Sequence, residues 1–292
     1  MTSGKLSCDD LYRQLKAMIA AVEPDNAPQE AVWLFEHLFG HGRDWLLTQG
    51  GQEADPRLAE QALALARRRA AGEPLQYLLG EWEFYGLTLA VGPGVLIPRP
   101  ETELLVELGL GHIRDIPSPV LLDICSGSGC IPLALGRCRP DAAVWGVELF
   151  APALAYFVEN AARTACGNVT PVQGNLFDLP PDITGRRYHL ITSNPPYLTA
   201  AEMAQLQAEV AQEPATALLG GPDGLDFYRA LPAIGARLLL AGGMLAVEIG
   251  ESQGRAVAGL LEQGGYRQVT VHRDYAGHDR VVTGLWAQWA AC

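Results

Sequence analysis

Apolar residues recur at helical spacing through the first part of the chain. The first series has a 3.6-residue period and consists of Leu11, Leu15, Met18 and Ile19. A second series follows residues 25–28, where Asp, Asn and Pro are typical of a helix start, and a third covers residues 56–71. The pattern predicts a small helical domain, assigned to residues 1–80, that serves packing or partner recognition.

The next segment has the alternation of a β-hairpin. Residues 82–91 alternate bulky and small side chains around Gly86. We therefore assign residues 81–98 to a hairpin linker. Pro100 then fits the first turn of a helix, so the next domain is assigned to residues 99–292.

From residue 120 onward, apolar strands alternate with helical stretches. Five strands are predicted, at residues 120–124, 143–147, 169–173, 188–193 and 244–249. The helices between them are predicted at residues 130–137, 152–165 and 226–240. This alternation predicts an α/β domain whose parallel sheet carries helices on both faces. Two further strands, at residues 268–272 and 281–287, are joined by a short polar turn and could form an antiparallel hairpin at the sheet edge.

The composition is that of a globular protein, with 49% hydrophobic and 18% charged residues among 292. The net charge of −12 disfavours direct contact with nucleic acid, which depends on neutralising phosphates. The six cysteines form no C-x-x-C pair, residues 1–14 lack a signal-peptide core, and no apolar run approaches the roughly 18 residues of a membrane span. We expect a cytoplasmic monomer without disulfides or membrane contact. His37 and His41 lie one helical turn apart, but such pairs are usually structural, so no metal site is predicted.

One strand end has the chemistry of an amide-binding site. The apolar run before Asn194 must stop there, because Pro195 and Pro196 can neither donate to a sheet nor continue a helix. Ligands bind at such strand ends in open α/β sheets. The Asn194 oxygen and a backbone carbonyl at the prolines would offer two acceptors to a planar NH2 group, and Tyr197 adds a flat ring. The segment therefore predicts a seat for an amide or an exocyclic amine.

The first predicted strand of the sheet runs into a glycine-rich loop. Gly127 and Gly129 would let the backbone approach a ligand, and the following helix would present free N–H groups. Glu148, at the end of the second strand, could accept hydrogen bonds from both hydroxyls of a ribose. Asp123 precedes the loop and would disfavour a pyrophosphate, but would suit a cationic amino-acid end. These features favour S-adenosylmethionine over NAD as the cofactor.

The chain resembles the peptide chain release factor N5-glutamine methyltransferases, the PrmC/HemK family, over essentially its whole length. The matching segments are residues 72–77, 96–103, 123–129, 194–197, 213–214, 273–275 and 279–281. The Asn-Pro-Pro-Tyr segment alone is shared with amino-methyltransferases of DNA. Residues 96–103 and the helical amino-terminal segment are more specific to the family.

The resemblance implies a Rossmann-like class I S-adenosylmethionine-dependent fold, with a seven-stranded, mostly parallel sheet and a small helical amino-terminal domain that docks the substrate. It implies methylation of the glutamine amide in the Gly-Gly-Gln motif of release factors. The implied cofactor contacts are Asp123, Cys125, Ser126, Gly127, Ser128, Gly129, Glu148, Asn175, Leu176 and Asn194. The implied substrate contacts are Arg99, Asn194, Pro195, Pro196 and Tyr197, of which Asn194, Pro195 and Tyr197 are catalytic.

Three positions depart from the pattern of the family. Cys125 replaces a glycine that is often first in the loop, Asn175 replaces a common aspartate, and Glu148 replaces an aspartate as the ribose ligand. Two other substrates stay open: a glutamine of a ribosomal protein, and an amino group of a nucleic acid. A non-catalytic scaffold of the same fold is a third alternative.

Overall fold

The computed structural model describes residues 6–287, which fall into two compact units. The first unit extends to Gly80 and also includes Gln207–Gln212, and the second contains the rest. No helix within the described range has both the length and the apolar character needed to cross a lipid bilayer.

The first unit is helical. Its helices are α1 (Cys8–Ile19), α2 (Ala27–Phe39), α3 (Arg43–Gln49), α4 (Pro56–Ala70) and α5 (Leu75–Leu79). The predicted apolar face of α1 is buried at Leu11, Leu15 and Ile19. The Asp55 carboxylate caps α4 by accepting from the Arg57 backbone N–H at 2.8 Å. The helices α3 and α5 were missed, because seven and five residues are too few to show a helical period.

A buried arginine ties the elements of the first unit together. Arg69 is 1% exposed, and its Nε donates to Glu30 Oε2 at 2.6 Å. Its Nη2 lies 2.9 Å from Glu30 Oε1 and 2.5 Å from Glu209 Oε1. Because a buried charge must be paired, these carboxylates keep the guanidinium stable in the interior and hold residues 207–212 to this unit.

The second unit begins with the predicted hairpin. Strands β1 (Glu81–Phe84) and β2 (Leu87–Ala90) pair antiparallel, with Phe84 opposite Leu87. The two turn residues, Tyr85 and Gly86, have φ of 50° and 72°, which fits the tight type I′ turn that the twist of a hairpin favours.

The main sheet has seven strands, as predicted. They are β3 (Val120–Ile124), β4 (Ala143–Glu148), β5 (Val169–Gln173), β6 (Tyr188–Ser193), β7 (Leu239–Glu248), β8 (Tyr266–Arg273) and β9 (Asp279–Trp286). Their order is β5-β4-β3-β6-β7-β9-β8. Neighbouring strands from β5 to β7 are parallel, and the β8–β9 hairpin is antiparallel. The predicted antiparallel edge is thereby confirmed.

Helices accompany the sheet. They are α6 (Glu103–His112), α7 (Cys130–Cys138), α8 (Ala151–Arg163), α9 (Pro181–Thr184), α10 (Ala200–Met203), α11 (Asp226–Leu238) and α12 (Gly254–Gln263). Neighbouring residues of β3 pack into different cores: Leu121 lies in one buried cluster and Leu122 in another. This alternation is what a strand buried on both faces produces.

The strand register determines which residues meet at the carboxyl edge of the sheet. Ile124, the last residue of β3, pairs with Val147 on one side and with Ser193 on the other. The chain passes from β3 to β4 on one side of β3 and later reaches β6 on the other side, so this edge is the topological switch point where α/β sheets bind ligands. The residues that follow the three paired positions, Cys125, Glu148 and Asn194, therefore lie side by side at this edge.

Candidate active site

A cavity of about 480 Å³ lies at this switch point. Its walls come from several strand ends and loops of the second unit: residues 125–128, 147–150, 174–177, Asn194, Pro196 and residues 214–217. The structure thus brings the glycine-rich loop, the Glu148 carboxylate and Asn194 to one cavity, although they are far apart in sequence.

The glycine-rich loop has an unusual backbone. Cys125, Gly127 and Gly129 have φ of 65°, 55° and 83°. A Cβ atom on Gly129 would lie 2.0 Å from the Phe157 ring, so only glycine fits there. The helix α7 begins directly after the loop, and its first residue, Cys130, lines the cavity. The positive end of the helix dipole therefore faces the cavity and favours an anionic group there.

The left-handed backbone at Cys125 has a testable consequence for stability. Cys125→Val is expected to destabilise the protein by about 1–2 kcal/mol, because a β-branched side chain is strongly disfavoured at positive φ. Cys125→Gly is the matched control and should unfold close to the wild-type midpoint, since relief of strain offsets the added entropy of the unfolded chain. Urea unfolding checks both variants. Equal midpoints for the valine variant and the wild type would contradict this account.

Glu148 joins the loop to the end of β4. Its Oε2 accepts from the Gly127 N–H and its Oε1 from the Phe150 N–H, both at 2.8 Å. Each oxygen keeps further acceptor capacity, and the carboxylate lines the cavity. It can therefore accept hydrogen bonds from two hydroxyl groups of a ligand, as the sequence suggests.

Two predicted cofactor contacts lie outside the cavity lining. Asp123 is fully buried, and its Oδ1 accepts from the Thr192 hydroxyl at 2.6 Å. Burial raises the pKa of Asp123 to about 7. Gly129 is packed closely against the Phe157 ring and does not line the cavity. Asp123 supports the loop through its carbonyl, which accepts from the Ser126 hydroxyl at 3.3 Å.

One wall of the cavity is largely apolar. It contains Leu176 and Phe177 beside the polar Asn175, and the Phe177 ring centroid lies 5.6 Å from that of Phe227. The Asn175 Oδ1 accepts from the Phe177 N–H at 3.0 Å, which fixes the local turn. This wall suits a flat aromatic ligand group.

Asn194 occupies a firmly held strand end. The hydroxyl of the preceding Ser193 donates to the Ile124 carbonyl at 2.7 Å. The Asn194 Nδ2 donates to the Thr102 hydroxyl at 3.3 Å, and both side chains line the cavity. Because the amide nitrogen is used in this way, the Asn194 oxygen is the atom left to accept from a ligand.

The rest of the Asn-Pro-Pro-Tyr segment is held by contacts outside the cavity. Pro196 lines the cavity, whereas Pro195 and Tyr197 lie outside its lining. The Tyr197 carbonyl accepts from Gln253 Nε2 at 3.0 Å, and burial raises the pKa of its phenol to about 12. A Cβ atom on Gly220 would lie 2.6 Å from the Pro196 carbonyl oxygen, which shows how closely the chain covers this turn.

Arg99 also lines the cavity, and its guanidinium is ion-paired with Glu213. Glu213 is 5% exposed and also accepts from the Ile97 N–H at 2.9 Å. Glu213 has no role predicted from the sequence, although it belongs to a family-matching segment. Thr102 and Glu248 were also missed: Thr102 lies directly before α6, and the placement of Glu248 beside Asn194 depends on pairing across the sheet. Residues 6–287 contain no cluster of three or more His, Cys, Asp or Glu side chains that could hold a metal ion.

Comparison with known proteins identifies the family. Residues 10–80 match the PrmC N-terminal domain, and residues 117–185 match a family described as a putative methyltransferase. The chain is 42% identical to the release factor glutamine methyltransferase of Geobacter sulfurreducens over 89% of this chain and 90% of that protein. The chain belongs to the release factor glutamine methyltransferase family. The corresponding protein of Vibrio cholerae is 41% identical over 90% of this chain and 91% of its own length.

Solved structures agree with this assignment at the level of fold. A methyltransferase from Pyrococcus furiosus has a TM-score of 0.52 and 18% identity, and the match covers 70% of this chain and 91% of that chain. The family and the class I methyltransferase fold inferred from the sequence are both confirmed, including the seven-stranded, mostly parallel sheet and the helical amino-terminal domain.

Proposed function

We propose that this protein transfers the methyl group of S-adenosylmethionine to the side-chain amide nitrogen of the glutamine in the Gly-Gly-Gln motif of peptide chain release factors. The observation that carries the proposal is the orientation of Asn194. Its nitrogen donates to Thr102, so its oxygen is available to an NH2 donor in the cavity. Membership of the family supports the choice of a glutamine amide in a release factor.

The cavity fits S-adenosylmethionine. Glu148 can accept from the ribose hydroxyls, and the amino terminus of α7 suits a carboxylate. Ser128 lines the cavity, and its buried hydroxyl has no hydrogen-bond partner among residues 6–287, so it can serve a polar ligand group. The proposed contacts are Cys125, Ser126, Gly127, Ser128, Glu148, Asn175 and Leu176. When bound, S-adenosylmethionine supplies an electrophilic methyl group on its sulfonium sulfur.

The role of the protein in the reaction is to orient and polarise the amide. An amide nitrogen is a weak nucleophile because its lone pair is delocalised. In the proposal, the Asn194 oxygen and the Pro195 carbonyl accept its two N–H groups, which fixes the nitrogen and stabilises the charge that develops on it. Transfer would form an N–C bond as the S–C bond breaks and its electron pair stays on the sulfur as a neutral thioether, and one amide proton would leave through Asn194 or water. Pro196 and Tyr197 form the part of the site around the glutamine side chain, and Arg99, which also lines the cavity, binds the substrate.

We also propose which part of the chain binds the release factor and which part carries out the methyl transfer. Residues 1–80, which include the PrmC N-terminal match, dock the release factor. Residues 81–98 link them to residues 99–292, where the transfer takes place. Binding of nucleic acid is not required in this scheme, in line with the net charge of −12.

The test is intact-mass analysis of purified release factor incubated with this protein and S-adenosylmethionine. The expected result is a gain of one methyl group on the wild-type factor and none on a variant whose motif glutamine is replaced by alanine. A gain on both proteins would contradict the assigned target residue. No gain on either, with S-adenosylmethionine bound, would overturn the release-factor assignment and direct the search to ribosomal proteins.

A further inference from the structure

Glu248 is a buried acid directly behind the amide-binding residue. It ends β7, and the preceding residue, Val247, pairs with Ser193 of β6. Glu248 and Asn194 therefore directly follow a paired position on two adjacent parallel strands. Glu248 is 2% exposed and lies outside the cavity lining, whereas Asn194 lines the cavity. Glu248 can act on a bound ligand only through its neighbours.

Those neighbours are Thr102 and Asn194, whose polar side chains lie close enough to the Glu248 carboxyl to lower its pKa. The Asn194 Nδ2 donates to the Thr102 hydroxyl at 3.3 Å. The Glu248 Oε2 is buried and has no hydrogen-bond partner among residues 6–287. Since an ionised carboxylate can only accept hydrogen bonds, it favours the orientation in which its neighbours turn their donors towards it.

We propose that Glu248 is a positioning residue that orients the Asn194 carboxamide for the substrate amide, an inference that rests on the proposed function. The carboxylate attracts the Asn194 NH2 group and repels its carbonyl oxygen. The opposite orientation would place the oxygen beside the carboxylate and an NH2 donor in the cavity. That donor would face the NH2 group of the substrate, and no hydrogen bond could form between them.

The charge state of Glu248 makes this orientation dependent on pH. Burial raises the pKa of Glu248 to about 7, against the lowering effect of Thr102, Arg280 and Asn194. The other charged or titratable groups around it are Glu101, Cys130, Tyr197, Tyr228 and Arg280. Burial raises the pKa values of Cys130 and Tyr197 to about 12, so neither changes its charge near neutrality. Below about pH 7 a protonated Glu248 can donate a hydrogen bond, and its preference for the Asn194 NH2 group is lost.

The first test is Glu248→Gln, which keeps the shape and removes the charge. The expected result is a fall in kcat of about tenfold, with the Kd for S-adenosylmethionine within about twofold of wild type, because the negative charge that orients the Asn194 amide is lost. The wild-type kcat should fall as the pH drops through about 7, and this component should vanish in the variant. Asp123 also has a pKa of about 7, but it is unchanged in the variant, so the difference isolates Glu248.

A double-mutant cycle tests whether Glu248 acts by positioning Asn194 or has a general structural role. In an Asn194→Ala background, Glu248→Gln should cause no further loss of kcat, because the group that it orients is gone. Thr102→Val removes the hydroxyl that accepts from the Asn194 Nδ2 and serves as a second variant if Glu248→Gln does not fold. An additive loss in the double variant would overturn the proposal, as would an unchanged kcat in either folded single variant.

A further measurement needs no release factor, so it stays informative if the proposed substrate is wrong. The side-chain amide signals of Asn194 in a 15N-labelled protein can be assigned by their absence in Asn194→Ala. They should shift with a midpoint near pH 7 in the wild type and stay constant in Glu248→Gln. Signals that titrate equally in both proteins would overturn the role of Glu248 while leaving the proposed methyl transfer untouched.

Discussion

Asn194→Ala is expected to lower kcat by about 10³-fold while changing the Kd for S-adenosylmethionine by less than about threefold. The side chain supplies one of the two acceptors that hold the substrate amide, and removal of one preorganised polar group at a reacting centre costs about 10²–10³-fold. Binding of the cofactor depends mainly on other walls of the cavity, formed by residues 125–128, 147–150 and 174–177. The measurements are single-turnover methylation of a release factor and calorimetric titration with S-adenosylmethionine.

Gln263→Ala is the matched control, because it removes an exposed amide side chain from α12 in the same unit. It should leave both kcat and the Kd at their wild-type values. A kcat for Asn194→Ala within threefold of wild type would exclude Asn194 from the reaction. A loss of cofactor affinity as large as the loss of kcat would instead identify Asn194 as a residue of the cofactor site.

Glu148→Ala is expected to raise the Kd for S-adenosylmethionine by about 100-fold. The substitution removes the acceptor proposed for the ribose hydroxyls, and hydrogen bonds to a charged group contribute about 1.5–3 kcal/mol each. It also leaves the Gly127 and Phe150 N–H groups without their partner, so the loop that would surround the cofactor loses its anchor. Calorimetric titration measures this effect directly.

Two further variants sharpen the interpretation of Glu148→Ala. Glu159→Ala removes an exposed carboxylate from the neighbouring α8 and should bind S-adenosylmethionine like the wild type. Glu148→Gln keeps the size of the side chain but turns one acceptor into a donor, and it should also bind weakly. Wild-type affinity in both Glu148 variants would rule out this carboxylate as a ligand of the ribose.

Much of the fold could be predicted from local pattern. The β1–β2 hairpin around Gly86 and the seven strands of the sheet follow from alternation and apolar runs, which are strong where a strand is buried on one or both faces. The missed helices are α3, α5, α9, α10 and α12. The first four are too short to show a period, and α12 contains two glycines, Gly254 and Gly259, that weaken its helical pattern.

The candidate site was only partly predictable. Glu148 and Asn194 could be identified because each directly follows an apolar strand, where a polar side chain has no packing role. Asp123 is also a polar residue near the end of an apolar strand, yet it is fully buried and accepts a hydrogen bond from Thr192. Nothing in a single sequence tells whether a polar residue at a strand end faces the cavity or the interior, because that depends on the side chains of the adjacent strands.

The sequence by itself determined the family, the α/β architecture and the chemical types gathered at the strand ends. These properties depend on local spacing, which each segment contains. Only the tertiary structure decided that Glu248 lies beside Asn194, that Glu213 holds Arg99, and that the glycine-rich loop is anchored through Glu148. These pairs are separated along the chain, so no local pattern could reveal them. The order and register of the parallel strands bring the strand ends together at one edge, and the loops around that edge bring Glu213 to Arg99.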